Sequence, residues 1–179
     1  KSIFISPIIT NHMNLRFGPA GLGPVNTALN VLEKYNKLGL KACEIAFTYN
    51  VYIKEKDAGI IRKKAEELDI ELSIHAPYFV NLNSSEEIKV EATKKRILDC
   101  CEIGELLGAK TVVFHPGYYG NKVPKSSVGK PSDYGKDRTG AYENIKKGIL
   151  DILEVIKENG WKIKIAPETM GKINVFGSV

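Results

Sequence analysis

From Asn14 onward, short runs dense in Val, Ile and Phe alternate with longer stretches whose apolar residues recur every three or four positions. Five runs read as strands: Leu15–Gly18, Ala42–Phe47, Glu71–His75, Thr111–His115 and Lys162–Ala166. Their brevity and composition are those of strands buried on both faces. The intervening stretches read as helices. Ile145, Ile149, Ile152, Leu153 and Ile156 form one apolar stripe at helical spacing. Ser84 followed by Glu87 predicts a capping box that opens a helix running to about Leu107. On that helix Ile97, Cys100, Cys101, Gly104, Leu107 and Gly108 share a face, small enough to lie close against a sheet. Cys100 and Cys101, and Cys43 in its strand, are expected to be core filler. Gly39, Gly108 and Gly160 each separate a helix from the next strand, where a left-handed residue ends a helix.

Strand, helix, strand, helix without hairpin signals predicts parallel strands joined by crossovers. The pattern holds about five strands and four helices, whereas a closed (β/α)₈ barrel takes about 250 residues. The fold class is therefore α/β: either an open parallel sheet or about the first five of eight βα units of a TIM-type barrel. The last residues, Ile173–Val179, read as a loop with no finishing helix, which favours the partial barrel. Residues 1–13 read as an apolar leader ending in a junction at Asn11-His12-Met13, and 14–179 as the partial barrel domain. Residues 121–140 form a long strand-to-helix connection, an insertion rich in Lys and Arg.

Composition narrows the function classes rather than the fold. The chain has 179 residues, 43% of them apolar, enough for one core. Charged residues at 26% and aromatics at 8% exclude a disordered chain. Three cysteines, two of them adjacent, do not make a disulfide framework, so a reduced, cytoplasmic protein is expected. No apolar run reaches the length of a membrane span, and no membrane partner is expected. A net charge of +5 permits a polyanionic partner without demanding one.

The chemistry lies at strand ends. Only three histidines occur; His12 falls in the leader, but His75 and His115 each close a strand. Parallel strands point their carboxyl ends to one rim, where ligands bind. The last strand leads into Glu168 on the same rim. Two histidines and a carboxylate, with a position left for water, are the ligand set of a catalytic zinc. Tyr49, Tyr52, Tyr78, Tyr118 and Tyr119 fall in strand-to-helix loops of that rim and could stack on something flat. Lysines of the 121–140 insertion could meet phosphates.

Ile74-His75-Ala76-Pro77-Tyr78-Phe79-Val80-Asn81-Leu82, then Phe114-His115-Pro116-Gly117, then Glu168-Thr169-Met170-Gly171 resemble consecutive signatures of the endonuclease IV family of AP endonucleases, in an archaeal flavour. The resemblance implies a TIM barrel carrying three Zn²⁺ on its carboxyl rim. It implies base excision repair of double-stranded DNA: hydrolysis of the phosphodiester 5′ to an abasic site by metal-activated hydroxide. His75 and His115 match ligands of one zinc, and Glu168 matches the catalytic carboxylate that bridges it to a second. Tyr78 and Asn81 match a DNA-facing loop, and Thr48, Tyr49 and Asn50 match the minor-groove loop. Ligands that the family supplies from its last three strands have no counterpart, so at most one zinc is fully liganded. The 179 residues alone are expected not to complete the reaction.

The rival within the same barrel type is a metal-dependent sugar isomerase or epimerase, which also uses His and Glu on a divalent ion. An unclosed barrel also implies self-association through its open edge.

Overall fold

This computed structural model describes residues 15–119, 135–170 and 175–177. The leader 1–13, most of the 121–140 insertion and most of the final loop lie outside the described residues. Four strands, β1 (Ala42–Ala46), β2 (Glu71–His75), β3 (Thr111–Phe114) and β4 (Lys164–Pro167), form a parallel sheet in the order β1-β2-β3-β4. Helices α1 (Ala28–Lys37), α2 (Glu55–Glu67), α3 (Glu87–Leu107) and α4 (Gly135–Glu158) alternate with them. The expected partial α/β barrel is what forms. No helix among the described residues is long and apolar enough to cross a membrane.

The core lies between the sheet and the helices. Cys43, Ile45, Leu72, Ile74, Val112 and Phe114 alternate along three strands and are buried in one cluster with residues of all four helices. The intervening positions, Ala42, Glu44, Ser73, His75, Thr111 and Val113 among them, are only half-buried. This corrects the expectation of strands buried on both faces: the helices cover one face, and the other, concave as in a barrel, mixes small apolar with polar side chains. Gly104 lets α3 approach the sheet, since a Cβ there would collide with the Ile163 side chain and press on Ile74. All three cysteines are buried and free, as core filler should be.

Three sequence expectations change. Leu15–Gly18 is not a strand; the chain runs extended beside β1 and bridges it only at Ala20 and Glu44. The Phe17 carbonyl accepts from Lys41 and Ala42 N–H, and the Pro19 carbonyl from Glu44 N–H, but Pro19 has no N–H to return. Secondly, the capping box does not form. Ser84 Oγ accepts from Glu86 N–H at 3.2 Å, and Glu86 occupies the N-cap without a side-chain cap bond. Thirdly, the α4 stripe is narrower than its spacing implies: Ile145, Ile152 and Ile156 are buried, whereas Leu153 is 42% exposed. Gly39, Gly108 and Gly160 do take positive φ at their helix ends.

Candidate metal centre

The ladder itself brings the site residues together. His75 ends β2 opposite Val113, and Val113 faces Ala166 on β4. Two residues further on, His115 and Glu168 therefore leave adjacent strands side by side. Backbone bonds carry the register past the strand ends: Ala76 N–H donates to the Val113 carbonyl, and Glu168 N–H to that of Phe114, both at 2.8 Å. Period-two alternation then turns His75 away from buried Ile74 and toward the concave face.

One ligand atom from each of His75, His115 and Glu168 lies within 4.8 Å of the others. His75 Nε2 is 3.5 Å and His115 Nδ1 3.7 Å from Glu168 Oε2. Two donors on one tetrahedral zinc stand about 3.3 Å apart, given bonds of about 2.0–2.1 Å, so each imidazole stands near that spacing from the carboxylate. His75 Nδ1 is 2.9 Å from the Ala76 carbonyl. A proton held there leaves Nε2, the atom facing Glu168, with its lone pair available to a metal. The two imidazoles meet edge-on at 5.1 Å. Their side chains are 16% and 20% exposed against 50% for Glu168, so the site opens to solvent on the carboxylate side.

The rim around this cluster carries aromatic rings. Tyr78 stands 5.9 Å from the His75 ring and is largely exposed. Exposed Tyr49 pairs with exposed Phe79 at 6.2 Å, joining the loops after β1 and β2. Thr48 is half-buried, with its carbonyl accepting from Tyr78 N–H, and Asn50 is exposed. Tyr52 sits edge-on to Phe47 at 5.1 Å. Tyr119 leaves the expected rim set: it is buried, packed on Phe176 and under Arg138. Asn81 turns its side-chain oxygen into the chain, accepting from Asn83 and Tyr118 N–H. Phe79 is absent from the tyrosine set read from the sequence, although its place beside Tyr78 in a rim loop is a usable signal. Thr93, whose hydroxyl accepts from Asn81 N–H, carries no such signal.

A cleft of about 310 Å³ opens at the other end of the strands, lined by Arg16, Arg62, Glu66, Asp69 and Lys110 among others. Its arginines are spent on ion pairs, Arg16–Asp69 and Arg62–Glu66, both at 2.8 Å. That end is tied together rather than equipped for chemistry.

A parallel βα sheet with a His, His, Glu cluster at its carboxyl rim has the form of a partial α/β barrel whose rim could hold a metal ion. Residues 32–178 match the xylose isomerase-like TIM barrel family, and the chain belongs to it. It is 34% identical over 167 residues to an uncharacterized protein of Methanocaldococcus jannaschii, covering 92% of this chain and 55% of that one. The chain thus spans about half the length of this curated relative. Among solved structures it resembles a D-tagatose 3-epimerase-like protein (25% identity, TM-score 0.67), covering 91% of this chain and 56% of that one. It also resembles endonuclease IV from Thermus thermophilus (22% identity, TM-score 0.60), covering 91% and 55%. The fold is common to the nuclease and the epimerase-like protein.

Proposed function

We propose that this chain carries the metal-binding half of an AP endonuclease, which hydrolyses the phosphodiester 5′ to an abasic site in duplex DNA. The observation that carries the reading is the convergence of His75, His115 and Glu168 within 4.8 Å on an open rim bearing Tyr49, Tyr78 and Phe79. The two imidazoles and the carboxylate would hold a divalent ion, Zn²⁺ by resemblance, which supplies Lewis acidity toward a phosphate oxygen. Glu168, half exposed, would orient the attacking water and take its proton as the new phosphorus–oxygen bond forms and the old one breaks, the leaving 3′-oxygen gaining a proton from solvent. The ring of Tyr78 beside His75 suits the gap left by a missing base, where unstacking costs least. Exposed Tyr49 and Phe79 offer a further stacking face, and Thr48 and Asn50 flank it. The net charge of +5 favours a polyanionic partner over a neutral one.

A second reading, a ketose 3-epimerase, is favoured by the higher structural overlap with the D-tagatose 3-epimerase-like protein. The two part at the ligand. Purified chain should bind about one zinc, and His75→Ala should lose it, read by metal mass spectrometry. Zinc-loaded chain should bind abasic duplex more tightly than intact duplex, with affinity falling steeply as salt rises. Zinc-loaded chain that ignores both duplexes but is stabilised against melting by D-tagatose would replace the nuclease reading with the epimerase one.

A further inference from the structure

His75 closes β2 and His115 follows β3, and the loops that continue from these two histidines are stitched together. Asn81 Oδ1 accepts from Asn83 N–H at 3.1 Å and from Tyr118 N–H at 3.3 Å. Leu82 N–H donates to the Pro116 carbonyl at 2.9 Å. Asn83 Nδ2 donates to the Tyr118 carbonyl at 2.8 Å, while its own side-chain oxygen accepts from Asn144 of α4 at 2.9 Å. Gly117 has φ +151°, and a Cβ on it would fall 2.5 Å from Asn81 Oδ1, so the two residues are pressed together. At the other end of this chain of contacts, Asn81 N–H donates to the hydroxyl of Thr93, buried in the body of α3. Of the three residues that follow His115, Pro116 and Tyr118 are hydrogen-bonded to 81–83, and Gly117 lies against the Asn81 side chain.

We propose that Asn81 is a positioning residue for the metal centre: its side-chain oxygen locks the Pro116–Tyr118 turn to the His75 loop and so fixes His115 opposite Glu168. This rests on the metal-centre reading above. Before His115, the Val113 and Phe114 carbonyls accept from Ala76 and Glu168 N–H on the two sides of β3. After it, the Gly117 carbonyl accepts from Phe176 N–H and Tyr118 bridges Val175, so the Asn81 oxygen is a side-chain link of this turn to the loop after β2 that a single substitution removes. Removing the Asn81 oxygen takes the side-chain acceptor from Tyr118 N–H and loosens the turn that follows His115, though the Leu82–Pro116 and Asn83–Tyr118 bonds remain. A ligand that must be ordered at the moment of binding weakens affinity by its ordering cost, and loss of an outer-sphere support typically costs about 10–100-fold in metal affinity.

The function of the clasp lies in an acceptor oxygen, which an aspartate also has. Zinc affinity of the full chain is measured by competition with a chromophoric chelator, alongside exchange of the Tyr118 amide in zinc-free protein. Asn81→Ala should weaken zinc binding at least about tenfold and expose the Tyr118 amide, whereas Asn81→Asp should keep both near native. Gly117→Ala, which leaves Asn81 in place but displaces its oxygen, should weaken zinc similarly, and the double variant should lose little more. Should Asn81→Ala fail to fold, Gly117→Ala against Asn81→Asp still decides the matter. Native zinc affinity in folded Asn81→Ala, or equal loss in Asn81→Asp, overturns the clasp while leaving the metal centre standing. A native chain that binds no zinc overturns both.

Discussion

His75 shows how much one residue's place in the pleat decides. Its neighbour Ile74 is fully buried against the helices, and a one-residue slip of β2 would exchange them, burying the imidazole and stranding the isoleucine in the concave face. The apolar alternation of Leu72 and Ile74 is thus what aims the imidazole. The cysteines illustrate the opposite case, chemistry silenced by position. Burial pushes the Cys43 and Cys101 thiols up to about 12, and that of Cys100 up as well. At pH 8 all three stay protonated, so iodoacetamide should leave native protein unlabelled and modify all three after unfolding, as read by intact mass. Raised thiol values also set a sign for stability. Their contribution is whole below about pH 8.5, where the unfolded thiol titrates, and is eroded as pH climbs toward about 12. Gly104 is a third case: Gly104→Val should cost about 1–3 kcal/mol in urea unfolding, because buried Ile163 and Ile74 leave no room for the branch.

Between elements, the informative contacts are the ones that tie a helix to the strand after next. Glu105 near the end of α3 accepts from both Lys162 and Ile163 N–H at the entrance to β4, the latter at 2.5 Å. Glu105→Ala leaves two backbone donors without that partner and should cost about 1–3 kcal/mol, while Glu105→Gln, keeping the carbonyl oxygen, should cost less. Helices α3 and α4 are joined by Lys94, which donates to Asp151 at 2.6 Å and to Glu91 at 2.7 Å. Hydrogen bonds from Lys94 and then Lys147 hold the Asp151 carboxyl below its ordinary range. A lowered value means that its contribution is present at neutral pH and lost as pH falls. The melting-temperature gap between native protein and Asp151→Asn should therefore shrink below about pH 4. The start of α3 shows the limit of motif reading. Ser84 and Glu87 have capping-box spacing, yet the chain enters the helix two residues later, at Glu86, because Ser84 Oγ closes its own turn onto Glu86 N–H.

For the molecule as a whole, the sheet is one-sided: helices cover its convex face, and its concave face is lined by small and polar residues. Among the described residues β4 pairs with β3 alone. Association through that edge should appear as concentration-dependent mass in sedimentation equilibrium, and a monomer at high concentration would remove it. The order of strands and helices, the burial of the cysteines and the glycine helix ends were legible in the sequence, because each is set by local pattern: period two, period 3.6, or a left-handed residue. The three metal-ligand candidates were legible too, since parallel strands must bring their carboxyl ends to one rim. What the pattern could not carry was anything that depends on a partner distant in sequence. That Leu15–Gly18 is an escort to β1 rather than a strand, that Tyr119 is buried under Arg138, and that Asn81 reaches across to Tyr118 were decided only by tertiary structure. A side chain's periodicity says which face it takes, but which loop lies opposite that face is settled only when the strands pair.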